Sequence, residues 1–228
     1  MKKLTLLRPA VLALASLTCL GGCFADSIQP WLQPDSIMER ELDLEGDWKL
    51  VNEDWKDKYS VNLDKKKDSR SIELQSYYIK IGSPDRAMWF HFSGDVHEVN
   101  GIKLIQISNF SHDYGEVFSL ANRPTVSLWQ IAYDEDNIIL WAPGFVEGEI
   151  SALETMQDSD DKLLIVDSTE NIQAYVEEWV EKYPEMKGDI RRIMPIILTR
   201  AGTEFEMPEE MRDLVPRVYE ELLKKEGD

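Results

Sequence analysis

The chain has 228 residues with 43 acidic and 25 basic side chains, a formal net charge of −18. This excess of negative charge disfavours binding to nucleic acids and to anionic lipid headgroups, because both carry negative phosphates. No cysteine follows Cys23, so a disulfide framework is excluded for the rest of the chain. The fold must therefore depend on burial of apolar side chains, for which seven Trp, eight Tyr and seven Phe supply large areas.

The first residues follow the order of an export signal. Basic Lys2, Lys3 and Arg8 precede an apolar run from Pro9 to Leu20, and small residues come next. The run is too short for a transmembrane helix, which needs about 20 apolar residues. Residues 1–22 are therefore predicted to be a signal peptide that is removed on export.

Leu20-Gly21-Gly22-Cys23 resembles the lipobox of bacterial lipoproteins. The resemblance implies cleavage before Cys23, a diacylglycerol thioether on its sulfur, and an N-acyl chain such as palmitate. Two or more acyl chains anchor a protein firmly, whereas a single chain binds only marginally. Phe24 rather than Asp follows the cysteine, which in enterobacterial lipoproteins resembles an outer-membrane destination. The expected location is the cell envelope, in the outer membrane and facing the periplasm.

Residues 23–42 are predicted to be the lipidated cysteine and a tether. Pro30 and Pro34 interrupt any helix, and apolar residues do not alternate with polar ones. Fully extended, residues 24–42 would reach about 60 Å, enough to hold a domain away from the bilayer. Docking of Trp31-Leu32 on the domain is the alternative that the sequence leaves open. Residues 1–22 carry three basic and no acidic side chains, so the mature chain has a formal net charge of −21.

From about residue 44 to residue 167, apolar and polar residues alternate as they do in β-strands. The strongest local signal is Asn100-Gly101 between two alternating runs, which predicts a two-residue hairpin with a type I′ turn. The predicted strands contain residues 48–50, 59–63, 72–81, 88–92, 96–99, 102–104, 126–131, 138–141 and 163–166. About eight short strands at regular spacing favour an antiparallel barrel or sandwich.

A helix is predicted after the last of these strands, with Asp167 or Ser168 as its cap and Pro184 beyond its end. Its apolar stripe comprises Ile172, Tyr175, Val176, Trp179, Val180 and Tyr183. This stripe is expected to pack on the barrel wall. Residues 185–228 are predicted to be a helical C-terminal extension that carries an apolar patch at Ile190–Leu198.

Gly46-Asp47-Trp48 resembles the G-x-W signature of lipocalins, whose tryptophan plugs the closed end of a β-barrel. The stretch from Leu128 to Trp179 is similar to small bacterial lipoproteins with a lipocalin-like barrel. The resemblance implies a mainly β fold over residues 43–184, an antiparallel lipocalin-like barrel with a packed helix. Lipocalins usually place an arginine of the last strand on this tryptophan, but the last predicted strand, Leu163–Val166, contains none.

The sequence offers little that points to catalysis. Its three histidines, His91, His97 and His112, lack the close spacing of a zinc site, and no metal or other cofactor is expected. No G-x-S-x-G, S-x-x-K or H-E-x-x-H motif is present. A non-enzymatic role is therefore favoured.

The main hypothesis is a binding module that holds a small apolar or amphipathic ligand in the barrel. Trp48 is expected at the closed end, with Tyr77, Trp89 and Trp129 lining the ligand site. An alternative is a filled barrel that contacts an envelope partner protein through its helical surface, including the Ile190–Leu198 patch. A third hypothesis is an unrecognised hydrolase, which a cleft containing a histidine or carboxylate of perturbed pKa would support.

Overall fold

The computed structural model describes residues 26–51, 59–66, 73–83, 88–112, 125–141, 150, 152–157, 163–182 and 195–205. The strands in these ranges are β1 (Asp26–Ser27), β2 (Gly46–Leu50), β3 (Ser60–Lys65), β4 (Ser76–Ser83), β5 (Met88–Val99), β6 (Ile102–His112), β7 (Val126–Tyr133), β8 (Asn137–Trp141), β9 (Thr155–Gln157), β10 (Leu163–Ile165) and β11 (Ile196–Arg200). Helix α1 spans Thr169–Lys182, and a short 3-10 turn spans Pro34–Ser36.

Eight strands close into an antiparallel barrel. Strands β2 to β7 each pair with the next strand along the chain, and β11 joins β8 to β2. Alternate residues face inward, and those from all eight strands form one apolar cluster. The predicted fold is confirmed: the protein is mainly β, with a lipocalin-like antiparallel barrel and a packed helix.

The last barrel strand comes from a part of the chain that was predicted to be helical. Residues 196–200 form β11, so the predicted domain boundary at residue 184 is wrong, and Ile196–Leu198 does not belong to a helical patch. Ile197 and Leu198 are both buried, on opposite faces of the barrel wall. A strand covered on both faces is a continuous apolar run, which its sequence alone does not distinguish from a buried helix. Residues 183–194 and 206–228 lie outside the described ranges.

The segment Leu163–Val166 was predicted to be the last strand of the barrel, but the strand observed there, Leu163–Ile165, lies outside the barrel. It forms β10 of a small sheet, parallel to β1 on one side and antiparallel to β9 on the other. Strand β1 joins this sheet to the barrel, because Ser27 pairs with Val126 at the start of β7. The chain thus leaves the barrel after β8 and returns to it as β11.

The predicted hairpin at Asn100-Gly101 is confirmed. Both residues have positive φ, 50° and 81°, as a type I′ turn requires. The two strands predicted before this turn are a single strand, β5, which continues through an irregularity in its pairing at His91/Phe92. A bulge of this kind bends a long strand, as the wall of a closed barrel requires.

Helix α1 begins where it was predicted. The Ser168 Oγ accepts a hydrogen bond from the Asn171 backbone N–H at 3.3 Å and so caps the first turn. The buried positions of the helix are Ile172, Val176, Trp179 and Val180. They pack with Val99, Leu104, Val126 and Leu128 of the barrel's outer face. The predicted packing of the apolar stripe on the barrel wall is therefore confirmed.

The N-terminal segment, residues 26–45, is packed on the barrel, so residues 26–42 are not an extended tether and the open alternative, docking of Trp31-Leu32, is what the structure shows. Trp31 is completely buried, and its indole N–H donates to the Val126 carbonyl at 2.8 Å. The backbone N–H groups of Trp31 and Leu32 both donate to the side-chain oxygen of Gln106, at 2.6 and 3.0 Å. Prolines prevent a helix here but do not prevent an extended chain from docking.

Candidate ligand-binding site in the barrel

The barrel interior is apolar on every side. The buried side chains that meet there are Met38, Leu44, Trp48, Leu50, Val61, Leu63, Tyr77, Ile79, Val96, Ile105, Trp129, Ile131, Ile138, Leu140 and Leu198. Eight-stranded barrels are just wide enough for side chains to fill them or for one small ligand to bind. The position of any ligand site therefore depends on where along the barrel axis this filling ends.

One end of the barrel is closed around Trp48. Its indole N–H donates to the Leu44 carbonyl at 3.0 Å, and the Cζ atom of Arg200 lies 4.6 Å from the centroid of the indole ring. The Tyr77 hydroxyl donates to the Leu42 carbonyl at 3.3 Å and accepts from the Leu44 N–H at 3.4 Å. Residues 38–44 thus cross this end of the barrel and seal it from solvent.

Arg200 makes the contact with Trp48 that the lipocalin resemblance implies for an arginine of the last strand, and it was not predicted from the sequence. It belongs to β11, the true last strand of the barrel, and packs on the G-x-W tryptophan. Its guanidinium also donates to the carbonyls of Asp43, Glu45 and Glu135 at 2.8–3.0 Å. Only the assignment of residues 196–200 as a strand could have identified it, because the closing arginine is defined by its place on the last strand.

Toward the end of the barrel opposite Trp48, the inward-facing side chains are less completely buried. We follow the inward-facing residues of each strand away from Trp48. On five strands, the first residue after the buried ones is only half-buried. These residues are Tyr59, which immediately precedes β3, Ile81, Phe92, Ile107 and Ile196. They form a layer of apolar side chains that the protein does not cover completely, which we call the half-buried layer.

Among the side chains that the structure describes at this end, one polar group, the Ser127 hydroxyl, accompanies the half-buried layer. Ser127 stands opposite Ile107 in the pairing of β6 and β7, so both side chains lie on the same face of the sheet. Its hydroxyl accepts a hydrogen bond from the Trp129 indole N–H at 3.1 Å and donates to the Ile107 carbonyl at 3.4 Å. A hydroxyl has two lone pairs and so could still accept a bond from a polar group of a ligand.

The four aromatic residues proposed from the sequence do not all occupy the same position. Trp48 and Tyr77 lie at the closed end and are fully engaged in packing there, whereas Trp129 lies beside the half-buried layer. Trp89 pairs with Gly82 in the backbone register of β4 and β5, and its side chain lies outside the described part of the chain. The half-buried aliphatic residues were not singled out from the sequence, because alternation marks all inward positions equally.

His97 has the perturbed pKa that would support a hydrolase, but it does not lie in a cleft. Its side chain is 1% exposed, and burial lowers its pKa to about 4. Its Nδ1 lies 2.8 Å from the Ser36 Oγ, which itself donates to the Gln33 carbonyl. Because a hydroxyl has one proton, Nδ1–H must be the donor to Ser36, so His97 does not act as its base. This arrangement gives no support to a serine nucleophile.

Within the described ranges, no three His, Cys, Asp or Glu side chains meet in a way that could hold a metal ion. None of the helices described there is long and apolar enough to cross a membrane. Comparisons with known protein families, with curated proteins and with solved structures found no match to this chain.

Proposed function

We propose that this protein is a lipid-anchored protein of the cell envelope, in the outer membrane and facing the periplasm, whose barrel binds the acyl chain of a small amphipathic ligand. The ligand site is the half-buried layer, at the end of the barrel opposite Trp48. The observation that carries the proposal is the half-burial of five inward-facing apolar side chains at this end, whereas Trp48 and Tyr77 inside the other end are each 1% exposed and only Leu42 and Tyr133 at its rim are half-buried. A ligand that covers these partly exposed apolar side chains removes them from water, which favours binding.

The chemistry of the interior defines the class of ligand. The described inward-facing side chains at the end of the half-buried layer are apolar except for Ser127, so they offer no ionic partner to a buried carboxylate or phosphate. A hydrocarbon chain covers the apolar side chains of the half-buried layer. A charged headgroup must then remain in solvent, at the end of the barrel opposite Trp48. Ser127 offers one hydroxyl to a polar group near that end.

The anchor is proposed from the lipobox resemblance at Cys23. Intact-mass analysis of the protein expressed with its own leader in a Gram-negative host should give the chain from Cys23 onward, with diacylglycerol and an N-acyl chain added. The Cys23→Ser variant should lack these masses. An unmodified wild-type chain that retains residues 1–22 would refute the anchor.

Ligand binding is tested on the mature chain with Cys23→Ser, exported behind a cleavable leader. We expect native mass spectrometry to show adducts of fatty-acid or phospholipid mass, and a dansyl-labelled fatty acid to bind with enhanced fluorescence. Ile81→Trp fills the half-buried layer and should weaken probe binding about tenfold or more. The control is Lys80→Trp, which adds the same side chain to the adjacent, outward-facing position. Equal binding by the two variants, or no adduct and no probe binding by the parent, would refute the site.

A further inference from the structure

The first described residues lie at the end of the barrel that carries the half-buried layer. Ser27 pairs with Val126, the first residue of β7, whereas Tyr133 at the end of β7 lies at the closed end. Seven residue steps separate Val126 from Tyr133, a distance of about 23 Å along the strand. The N-terminal segment is therefore fixed far from Trp48, before it runs along the barrel to seal the closed end.

The chain is held firmly from β1 onward. Ser27 is completely buried, and the Ile28 backbone N–H donates to the Ile165 carbonyl at 3.1 Å. Only three residue steps separate Cys23 from Asp26, so their Cα atoms are at most about 11 Å apart. An acylated Cys23 would therefore hold β1 close to the membrane surface, in contrast to the long reach that a free tether would allow.

The two large apolar side chains that are most exposed in the described ranges lie beside this point. Ile28 is 38% exposed and Met156 is 40% exposed. Met156 of β9 stands opposite Leu164 of β10, which in turn stands opposite Asp26. Two strand spacings place Met156 about 10 Å from Asp26, and Ile28 is two residues along the chain, so both are within the reach that Cys23 has.

We infer that the molecule touches the surface of the bilayer that carries the anchor through Ile28 and Met156, at the β1 end of the barrel. Leu164, which stands between Asp26 and Met156 on the same face of the sheet, is 5% exposed and takes no part in this contact. This inference rests on the proposed acylation of Cys23. The half-buried layer then lies at the membrane-proximal end of the barrel, and the Trp48 end points away. The amphipathic ligand of the barrel is accordingly a lipid of that same membrane, which reaches the site without crossing the aqueous compartment.

The sign of the charge indicates which bilayer fits this surface. The mature chain would have a formal net charge of −21, and among the described residues the acidic Asp26 and Glu154 lie two positions from Ile28 and from Met156 in the chain. Anionic headgroups would repel them, whereas a zwitterionic surface would not. The probe membrane for a test is therefore a phosphatidylcholine vesicle.

The test uses the full, acylated protein in phosphatidylcholine vesicles that contain a headgroup spin-labelled lipid. Acylation blocks the thiol of Cys23, so an introduced cysteine is the unique site for a fluorescent label. One label is placed at Gln29→Cys, beside the inferred contact, and the control label at Glu135→Cys, in the turn after Tyr133. Both native side chains are exposed. We expect quenching several-fold stronger at residue 29 than at residue 135.

Two further variants of the residue-29 label separate the anchor from the contact. A Gly-Ser spacer of about ten residues after Ala25 adds about 30 Å of reach and should reduce the quenching to the level at residue 135. Ile28→Asp with Met156→Asp should reduce it with the spacing unchanged. Equal quenching at residues 29 and 135 in acylated protein would refute this inference and leave the ligand site standing. Absence of the acyl mass would refute the anchor and this inference together.

Discussion

The guanidinium of Arg200 stacks on the indole of Trp48, with its Cζ atom 4.6 Å from the ring centroid, and so joins the first barrel strand to the last. The two residues stand directly opposite each other in the pairing of β2 and β11. The same guanidinium donates to the Asp43 and Glu45 carbonyls, which belong to the segment that covers this end. The Arg200 side chain thus connects the two strands that close the barrel and holds residues 43–45 over its end.

Arg200→Ala should destabilise the protein by about 2–4 kcal/mol, because it removes the cation–π contact and leaves backbone carbonyls without their donor. Arg200→Lys keeps the charge but loses the planar fork, so we expect it to recover less than half of this stability. Urea unfolding of the mature Cys23→Ser protein measures both changes.

Lys80→Ala serves as the control for Arg200, since it removes an exposed cation paired with Asp64. Its cost should be at most about 1 kcal/mol. A loss from Arg200→Ala no larger than the loss from Lys80→Ala would show that the stacked arginine does not close the barrel.

The sequence predicted the barrel, the hairpin at Asn100-Gly101 and helix α1, because each depends on local alternation, turn chemistry or helical periodicity. It failed for β11, whose apolar run is buried on both faces and so shows no alternation. That failure concealed Arg200, whose role depends on which strand closes the barrel. Both are long-range properties, set by the pairing of residues about 150 positions apart in the chain.

The packing of the N-terminal segment could not be predicted for a similar reason. Trp31 is an isolated aromatic residue between two prolines, and its burial depends on a partner, Val126, that lies 95 residues further on. The half-buried layer is equally invisible in the sequence. Ile81 and Ile79 are both inward-facing isoleucines of β4, and only their heights in the barrel distinguish their burial.

Gln106→Leu should release the N-terminal segment from the barrel wall. It removes the oxygen that accepts from the backbone N–H groups of Trp31 and Leu32, and each unpaired buried N–H costs about 1–3 kcal/mol. Gln106→Glu is the matched control, because it keeps an acceptor of nearly the same shape. Hydrogen exchange at residues 31 and 32 should accelerate strongly in the Leu variant and much less in the Glu variant. Unchanged protection in the Leu variant would contradict this role of Gln106.

Stability should depend on pH through His97. Burial lowers the pKa of His97 to about 4 in the folded protein, against 6.5 for an ordinary histidine, although Asp95 and Asp35 act to raise it. Lys66 acts in the same direction as burial. Between these two pKa values the unfolded chain binds more protons than the folded protein, so the stability present above pH 6.5 is lost as the pH falls toward 4.

The whole effect corresponds to roughly 3 kcal/mol, of which about 2 kcal/mol should be lost between pH 7.5 and pH 5. His97→Asn can still donate a hydrogen bond to Ser36 but does not titrate. Between pH 7.5 and pH 5, its free energy of unfolding should therefore fall about 2 kcal/mol less than that of the wild-type protein. Urea unfolding at the two pH values measures this difference. The contribution of the carboxylates is the same in the wild-type protein and in the variant, so it cancels. Parallel pH profiles would show that His97 is not responsible.

Gly94 tests how tightly the closed half of the barrel is filled. A Cβ atom at this position would lie 2.7 Å from the Cδ1 atom of Ile79 and 3.2 Å from that of Ile105, so Gly94→Ala requires neighbouring side chains to move. We expect a loss of about 1–3 kcal/mol from this overpacking.

Ile79→Val removes the Cδ1 atom that the new methyl group would meet, at a cost of about 0.5–1.5 kcal/mol when made alone. The Gly94→Ala, Ile79→Val double variant should therefore be more stable than the sum of the two single losses predicts, by about 1 kcal/mol. Urea unfolding of the four proteins completes the cycle. Additive losses would show that the Cδ1 atom of Ile79 does not obstruct a side chain at residue 94, and would contradict the tight packing inferred here.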